Sequence, residues 1–267
     1  MAFKIFLFLA LLYVAQVNSQ LTVLPDVDDF ASRFMARIHH EDRIRGSLLS
    51  NGFFFNARTI VTTGSAVFGL TMAQLRVEFG NTNLIGLQSA RPETVIFHPD
   101  FNANNLLENN LAIVRLSAAD SNRTGPNVMT YREIGRLIRG NHFCSKLGYG
   151  ELLSDQWQGR EPMRMIPSIV ESNSTMCNFL FRGDFTCSFG RAGEFGFCGG
   201  FVGSPIICDG ERVSGMVVVD NFCGLRPVSY IMDLERHAEW IHRQSGAEKV
   251  LASIFMIFVV FLTSKIL

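Results

Sequence analysis

Short apolar runs recur between turn residues through the whole middle of the chain: FMARIH, GSLLS, GFFF, TIVTT, QLRVEFG, TVIFH, LAIVRL, SPIIC, VSGMVVV and VSYIM. Runs this short, rich in Val, Ile and Phe and bounded by Gly, Asn, Asp and Pro, read as strands, because helices of globular domains need about ten residues or more. No linker, repeat or low-complexity tract interrupts the series between about Leu21 and Ser245. The pattern therefore predicts one all-β domain of barrel or sandwich type. One stretch departs from it. In DLERHAEWIHRQS, residues 233–245, Leu234, Ala238 and Ile241 fall at i, i+4 and i+7 with Trp240 beside them, which predicts a terminal helix with one buried stripe. His237 and His242 are expected on its exposed side. The triplet Phe53-Phe54-Phe55 is expected in a core strand, and Phe179-Leu180-Phe181-Arg182 has the better claim to exposure.

The two ends set the compartment. Residues 1–19 place Lys4 before the apolar run IFLFLALLYVA and small and polar residues at Val17-Asn18-Ser19, the pattern of a secretory signal peptide. The run is too short to span a bilayer, which takes about 20 residues. At the other end, residues 246–267 contain an apolar run from Val250 to Leu262, broken only by Ser253. As a helix it would reach only about 20 Å, short of the hydrocarbon core. With Ser245-Gly246-Ala247 just upstream, the tail reads as a GPI-attachment signal, with a short membrane span as the alternative. A secreted or cell-surface chain follows, and with it an oxidising environment for six cysteines, Cys144, Cys177, Cys187, Cys198, Cys208 and Cys223. An even number there predicts a disulfide framework. The sequons at Asn122 and Asn173 are candidate glycosylation sites.

Several partner classes are disfavoured. Twenty-four basic and 24 acidic side chains cancel, and no basic run offers a stripe for nucleic acid. No metal or cofactor site is expected: the cysteines form no CxxC pair, and His39 and His40, adjacent on a strand, point to opposite faces.

The sharpest motif is CGGFVGSPIIC, residues 198–208. Its cysteines, glycines and proline resemble the nucleophile loop of the chymotrypsin/trypsin family of serine proteases, Cys-x-Gly-Asp-Ser-Gly-Gly-Pro-Leu-Val-Cys, with Phe201 at the aspartate and Val202 at the serine. Two further segments match the same family. Ile60-Val61-Thr62-Thr63-Gly64-Ser65-Ala66 resembles Val-Leu-Thr-Ala-Ala-His-Cys, with Ser65 at the histidine, and Asn109-Asn110-Leu111-Ala112-Ile113-Val114-Arg115-Leu116 resembles Asn-Asp-Ile-Ala-Leu-Leu-Arg-Leu, with Asn110 at the aspartate. The likeness extends over residues 24–243.

The resemblance implies two six-stranded antiparallel β-barrels with a C-terminal helix, and the disulfides Cys144–Cys208, Cys177–Cys187 and Cys198–Cys223. It also implies that the family's bridge beside the histidine is missing, with Ala66 on one side and Ser50 on the other. The residues left at the triad, Ser65, Asn110 and Val202, hold no nucleophile, base and orienting carboxylate of the kind acyl transfer needs. Gly200 and Val202 are then the remnant of the oxyanion loop, and Gly196, Asp220 and Val228 the remnant of the specificity pocket, narrowed by Val228. Phe201 removes the carboxylate that pairs with a freed terminal ammonium in the family, so activation by cleavage is expected to be absent as well.

The expected protein is thus an inactive serine protease homologue, a pseudoprotease of the kind typical of invertebrate extracellular systems. It would bind an extracellular protease, inhibitor or receptor. The alternatives are a serine-type hydrolase with relocated residues, for which Ser204 is the candidate nucleophile, and a structural surface glycoprotein.

Overall fold

In the computed structural model of the chain the described residues are 34–41, 48–80, 88–117, 134, 142–149, 163–172, 177, 186–190, 201–208, 212–221 and 228–245. The leader at 1–19, the tail at 246–267, Asn122, Asn173, Gly196, Gly200, the Cys198–Cys223 pairing and the Phe179–Arg182 segment lie outside them.

Strands β1 (Met35–His40), β2 (Leu48–Asn56), β3 (Thr59–Thr62), β4 (Leu75–Phe79), β5 (Gln88–Ala90), β6 (Pro92–Phe97) and β7 (Ala112–Leu116) form one antiparallel sheet in the order β5-β4-β1-β2-β3-β7-β6. Two details refine the expectation of a six-stranded barrel. The sheet counts seven hydrogen-bonded strands, and its edges β5 and β6 do not pair with each other. Yet only Arg91 separates those edges in the chain. Two residues so close in sequence lie within about 7 Å of each other, so the sheet must curl until its edges meet. The backbone closes that corner where hydrogen bonds do not. Pro92, at the start of β6, has no N–H to offer a ladder there.

The second unit is a closed six-stranded barrel in the order β10-β13-β12-β11-β8-β9. Its strands are β8 (His142–Gly148), β9 (Arg164–Ser172), β10 (Thr186–Gly190), β11 (Pro205–Ile207), β12 (Val213–Asn221) and β13 (Val228–Asp233), and all neighbours run antiparallel. Cys144 is bonded to Cys208, tying β8 to the end of β11, and Cys177 is bonded to Cys187 at β10.

Alternation along β2 distributes its phenylalanines between two cores. Phe54 points into the first sheet with Ile60, Val77 and Phe79, meeting the Phe79 ring edge-on at 5.2 Å. Phe53 and Phe55 point the other way, into a larger cluster shared with Leu147, Met216 and Tyr230 of the second barrel and with Leu234 and Ile241 at the chain's end. Strand β2 is buried on both faces for this reason. The seam between the two sheets is therefore the main core.

A short 3₁₀ turn (Glu235–His237) leads into the terminal helix α2 (Ala238–Ser245). That tighter turn shifts the predicted stripe: Leu234, His237 and Ile241 are buried, and Ala238 is only half-buried. His237 is 8% exposed, which corrects its expected place on the open side. His242 is half-buried, its ring 4.9 Å from Phe55. The helix end is docked on the first sheet. Asn56 Nδ2 donates to the Ser245 carbonyl at 2.9 Å and Arg115 Nη2 donates to the Gln244 carbonyl, satisfying acceptors that a helix leaves open.

His237 Nδ1 lies 3.3 Å from Nε2 of His98, on the loop after β6, with the rings nearly perpendicular and Trp240 5.0 Å from His98. Burial pushes His237 down to about 4, and the neighbouring His98 and Arg236 add to the shift. Burial lowers His98 too, against the pull of Asp100. Above pH ~6.5 the imidazoles are neutral in both folded and unfolded chains, and they contribute no pH dependence. Below it the unfolded chain takes up protons that the folded chain refuses, so stability falls toward pH 4. Between pH 7.5 and 4.5 the native protein should lose about 2 kcal/mol more than His237→Gln does, as read from denaturant unfolding at each pH.

Candidate functional site

The segment after β3 turns into the one-turn helix α1 (Gly64–Val67), which presents Ser65, and Asn110 lies just ahead of β7. Asn109 before it takes the left-handed conformation at φ 50°, which asparagine tolerates better than most residues. Asn110 is fully buried. Its Oδ1 accepts the Ser65 N–H at 2.8 Å, and its Nδ2 donates to Ser65 Oγ and to the Leu106 carbonyl, each at 3.0 Å. The two expected triad positions are thus brought together, and an amide is required between them. A carboxylate could accept from Ser65 but could donate nothing to Leu106.

Val202 is half-buried at the crest of a turn, Phe201–Ser204, in which the Ser204 N–H donates to the Phe201 carbonyl at 2.9 Å. The Val202 carbonyl accepts from the Asn51 N–H at 2.7 Å, from Ser50 Oγ at 3.1 Å and from Asn51 Nδ2 at 3.3 Å. Gly203 follows at φ +79°, and a side chain there would put its first carbon 2.0 Å from the Asn51 carbonyl oxygen. Only glycine lets the turn press this closely on β2. Ser50 is the residue that the resemblance places at one side of an absent bridge. Its hydroxyl meets the Val202 carbonyl, Thr62 Oγ1 at 3.0 Å and Thr63 Oγ1 at 3.3 Å, so the Val202 turn and the lead-in to Ser65 share one buried oxygen.

Ser204 is fully buried, and its hydroxyl has no hydrogen-bond partner among the described residues. It lies against Gly148, where an added side-chain carbon would sit 2.1 Å from the Ser204 oxygen. The hydroxyl is closed to solvent and has no base within hydrogen-bond reach among the described residues.

Beneath the turn the second barrel holds a charged group that sequence reasoning missed. Lys146, on β8, is 3% exposed, and its Nζ donates to Ser229 Oγ at 2.9 Å. Ser229 Oγ donates to Asp220 Oδ1 at 2.6 Å, and the Lys146 ammonium lies 3.7 Å from the same oxygen. The other Asp220 oxygen accepts the Phe201 N–H at 3.2 Å, and the Phe201 ring stands over the ammonium at 4.5 Å. Burial pushes the Lys146 amine down from its ordinary value, and Asp220 opposes that shift. The expected pocket residues Asp220 and Val228 are therefore turned into the protein: the Asp220 side chain is 6% exposed and Val228 5%. The pocket around Phe201 is not purely apolar, because a cation lies against its face. The available signal was alternation: Lys146 shares a strand face with Cys144, whose disulfide fixes that face inward.

The large apolar side chains exposed among the described residues are Phe68, at 56%, and Leu106, at 39%. Phe68 lies just past α1 and meets Phe97 and Phe101, which stack on each other at 5.4 Å. Leu106 supplies the carbonyl that Asn110 holds. Both belong to the segments joined by the Ser65–Asn110 pair.

Asn110→Asp, which would give this position a carboxylate, should lower stability by about 1–3 kcal/mol near neutral pH, because an acceptor then faces the Leu106 carbonyl. That penalty on the charged form raises the acid above its unfolded value near 4, so the loss should shrink as pH falls toward ~4 and level off below it; denaturant unfolding of the two proteins across pH checks it.

The family model described as Trypsin matches residues 26–241. Among solved structures the chain is similar to neuropsin, a serine protease expressed in the limbic system of mouse brain, with a TM-score of 0.62 and 19% sequence identity over 80% of this chain and 95% of that one. That likeness shows a shared fold: mostly β, one closed six-stranded barrel beside a partly closed sheet, and a short C-terminal helix. With a family match that spans well over half of its length, the chain belongs to the trypsin family.

Proposed function

We propose that this member of the family is a non-catalytic binding module, secreted or tethered at the cell surface, that engages an extracellular protease, inhibitor or receptor. One observation carries the reading. The Ser65–Asn110 pair is spent on mutual hydrogen bonds, and the exposed apolar residues Phe68 and Leu106 stand on the segments it joins. What holds a proton-transfer group in an active family member here holds a contact surface in shape.

The chemistry supports the same reading. Valine has no nucleophilic atom, serine is no base near neutral pH, and an amide carries no charge to stabilise an imidazolium. In a convergent protease with the same triad chemistry, loss of the triad costs about 10⁶ in turnover. Exposed apolar side chains held on a fixed backbone, by contrast, offer a protein partner a contact surface.

Two measurements test this. A broad fluorophosphonate probe should leave the protein unlabelled; labelling that vanishes on Ser204→Ala would overturn the reading in favour of relocated catalysis. Capture from the native extracellular fluid, with partners identified by mass spectrometry, should recover a protease, inhibitor or receptor. The Phe68→Asp/Leu106→Asp double variant should lose that partner by at least about tenfold while keeping its unfolding midpoint. Equal recovery by both proteins would sink the proposed surface.

A further inference from the structure

The turn that ends at Ser204 is held from two sides. On one side the first sheet grips the Val202 carbonyl through Asn51 and Ser50. On the other, Asp220 grips the Phe201 N–H, and Asp220 is itself a buried carboxylate that a barrel interior would not tolerate alone. Its charge is matched by Lys146, 3.7 Å away, and Ser229 bridges the two, donating to the carboxylate while accepting from the ammonium. The ring of Phe201 closes the circuit over the ammonium. Three strands, β8, β12 and β13, thus meet at the first residue of the turn.

We propose that Lys146 is a built-in lock for this turn. Its ammonium pairs with Asp220 in the barrel interior, Asp220 fixes the Phe201 amide, and the turn takes its shape on folding, with no cleavage of the chain needed to supply a charge. Lys146 and Asp220 are positioning residues: they act through the turn and lie buried beneath it.

Hydrogen–deuterium exchange on the secreted full chain, its N-terminal segment verified intact, tests the lock. Amides of 201–204 should exchange slowly in the intact native protein. Lys146→Met, which strands the carboxylate, and Asp220→Asn, which strands the ammonium, should each speed exchange there by about tenfold or more, with β7 at 112–116 unchanged. The double variant Lys146→Met/Asp220→Asn leaves no unpaired charge, and it should return the turn to within a few-fold of native exchange. Fast exchange in the intact chain that slows only after cleavage overturns the proposal, and so does a Lys146→Met protein with a native turn. Should the single variants fail to fold, the double decides. A folded double with a slow turn supports the lock, and a double as loose or unfolded as the singles overturns it.

Discussion

The carbonyl of Val202 is the point on which the two halves of the molecule are tied. It belongs to a turn of the second barrel, yet its hydrogen bonds come from Ser50 and Asn51 of the first sheet. Asn51 also accepts the Tyr149 N–H with its side-chain oxygen at 2.8 Å, so one fully buried residue links β2 to the turn and to the end of β8. A buried polar residue of this kind is tolerable only where its groups are satisfied, which fixes the distance and angle between the sheets. The apolar seam around Phe53, Phe55 and Met216 fills the space this tie defines.

The polar side chains that grip the turn are answered by partners across the fold. A hydroxyl at Ser50 bonds to the turn, where the resemblance implies that a disulfide is missing. An amide joins Ser65 to the residue ahead of β7, an aspartate holds the Phe201 amide, and a lysine from another strand lies against the Phe201 ring. Each of these groups has hydrogen-bond partners in place, which makes the positions locally consistent.

The strands that the sequence made legible are those with unbroken apolar runs, such as β3 in TIVTT and β7 in LAIVRL, whose residues face a core on one or both sides. Strands β8 and β9 were illegible for a physical reason. HFCSKLG carries a lysine facing inward and RMIPSIVES a proline, features that argue against a buried strand unless a tertiary partner answers them. The framing residues around Ser65, Asn110 and Val202 single these positions out in the sequence. Their hydrogen bonds could not be read there, nor could Lys146, whose partners lie on strands far along the chain. His237 was misplaced because a 3₁₀ turn rotates it by a fraction of a residue's step, below what periodicity resolves.

Asn56 and Ser245 are hydrogen-bonded across 189 residues of sequence, and Leu234 and Ile241 complete the cluster that Phe53 and Phe55 begin. During synthesis the two phenylalanines therefore leave the ribosome long before the side chains that cover them. At translation rates of about 5–20 residues per second the 189-residue gap lasts on the order of 10–40 s. Through that interval a half-made protein presents an aromatic strand to its surroundings. The last helix, by arriving, completes the cover over that strand.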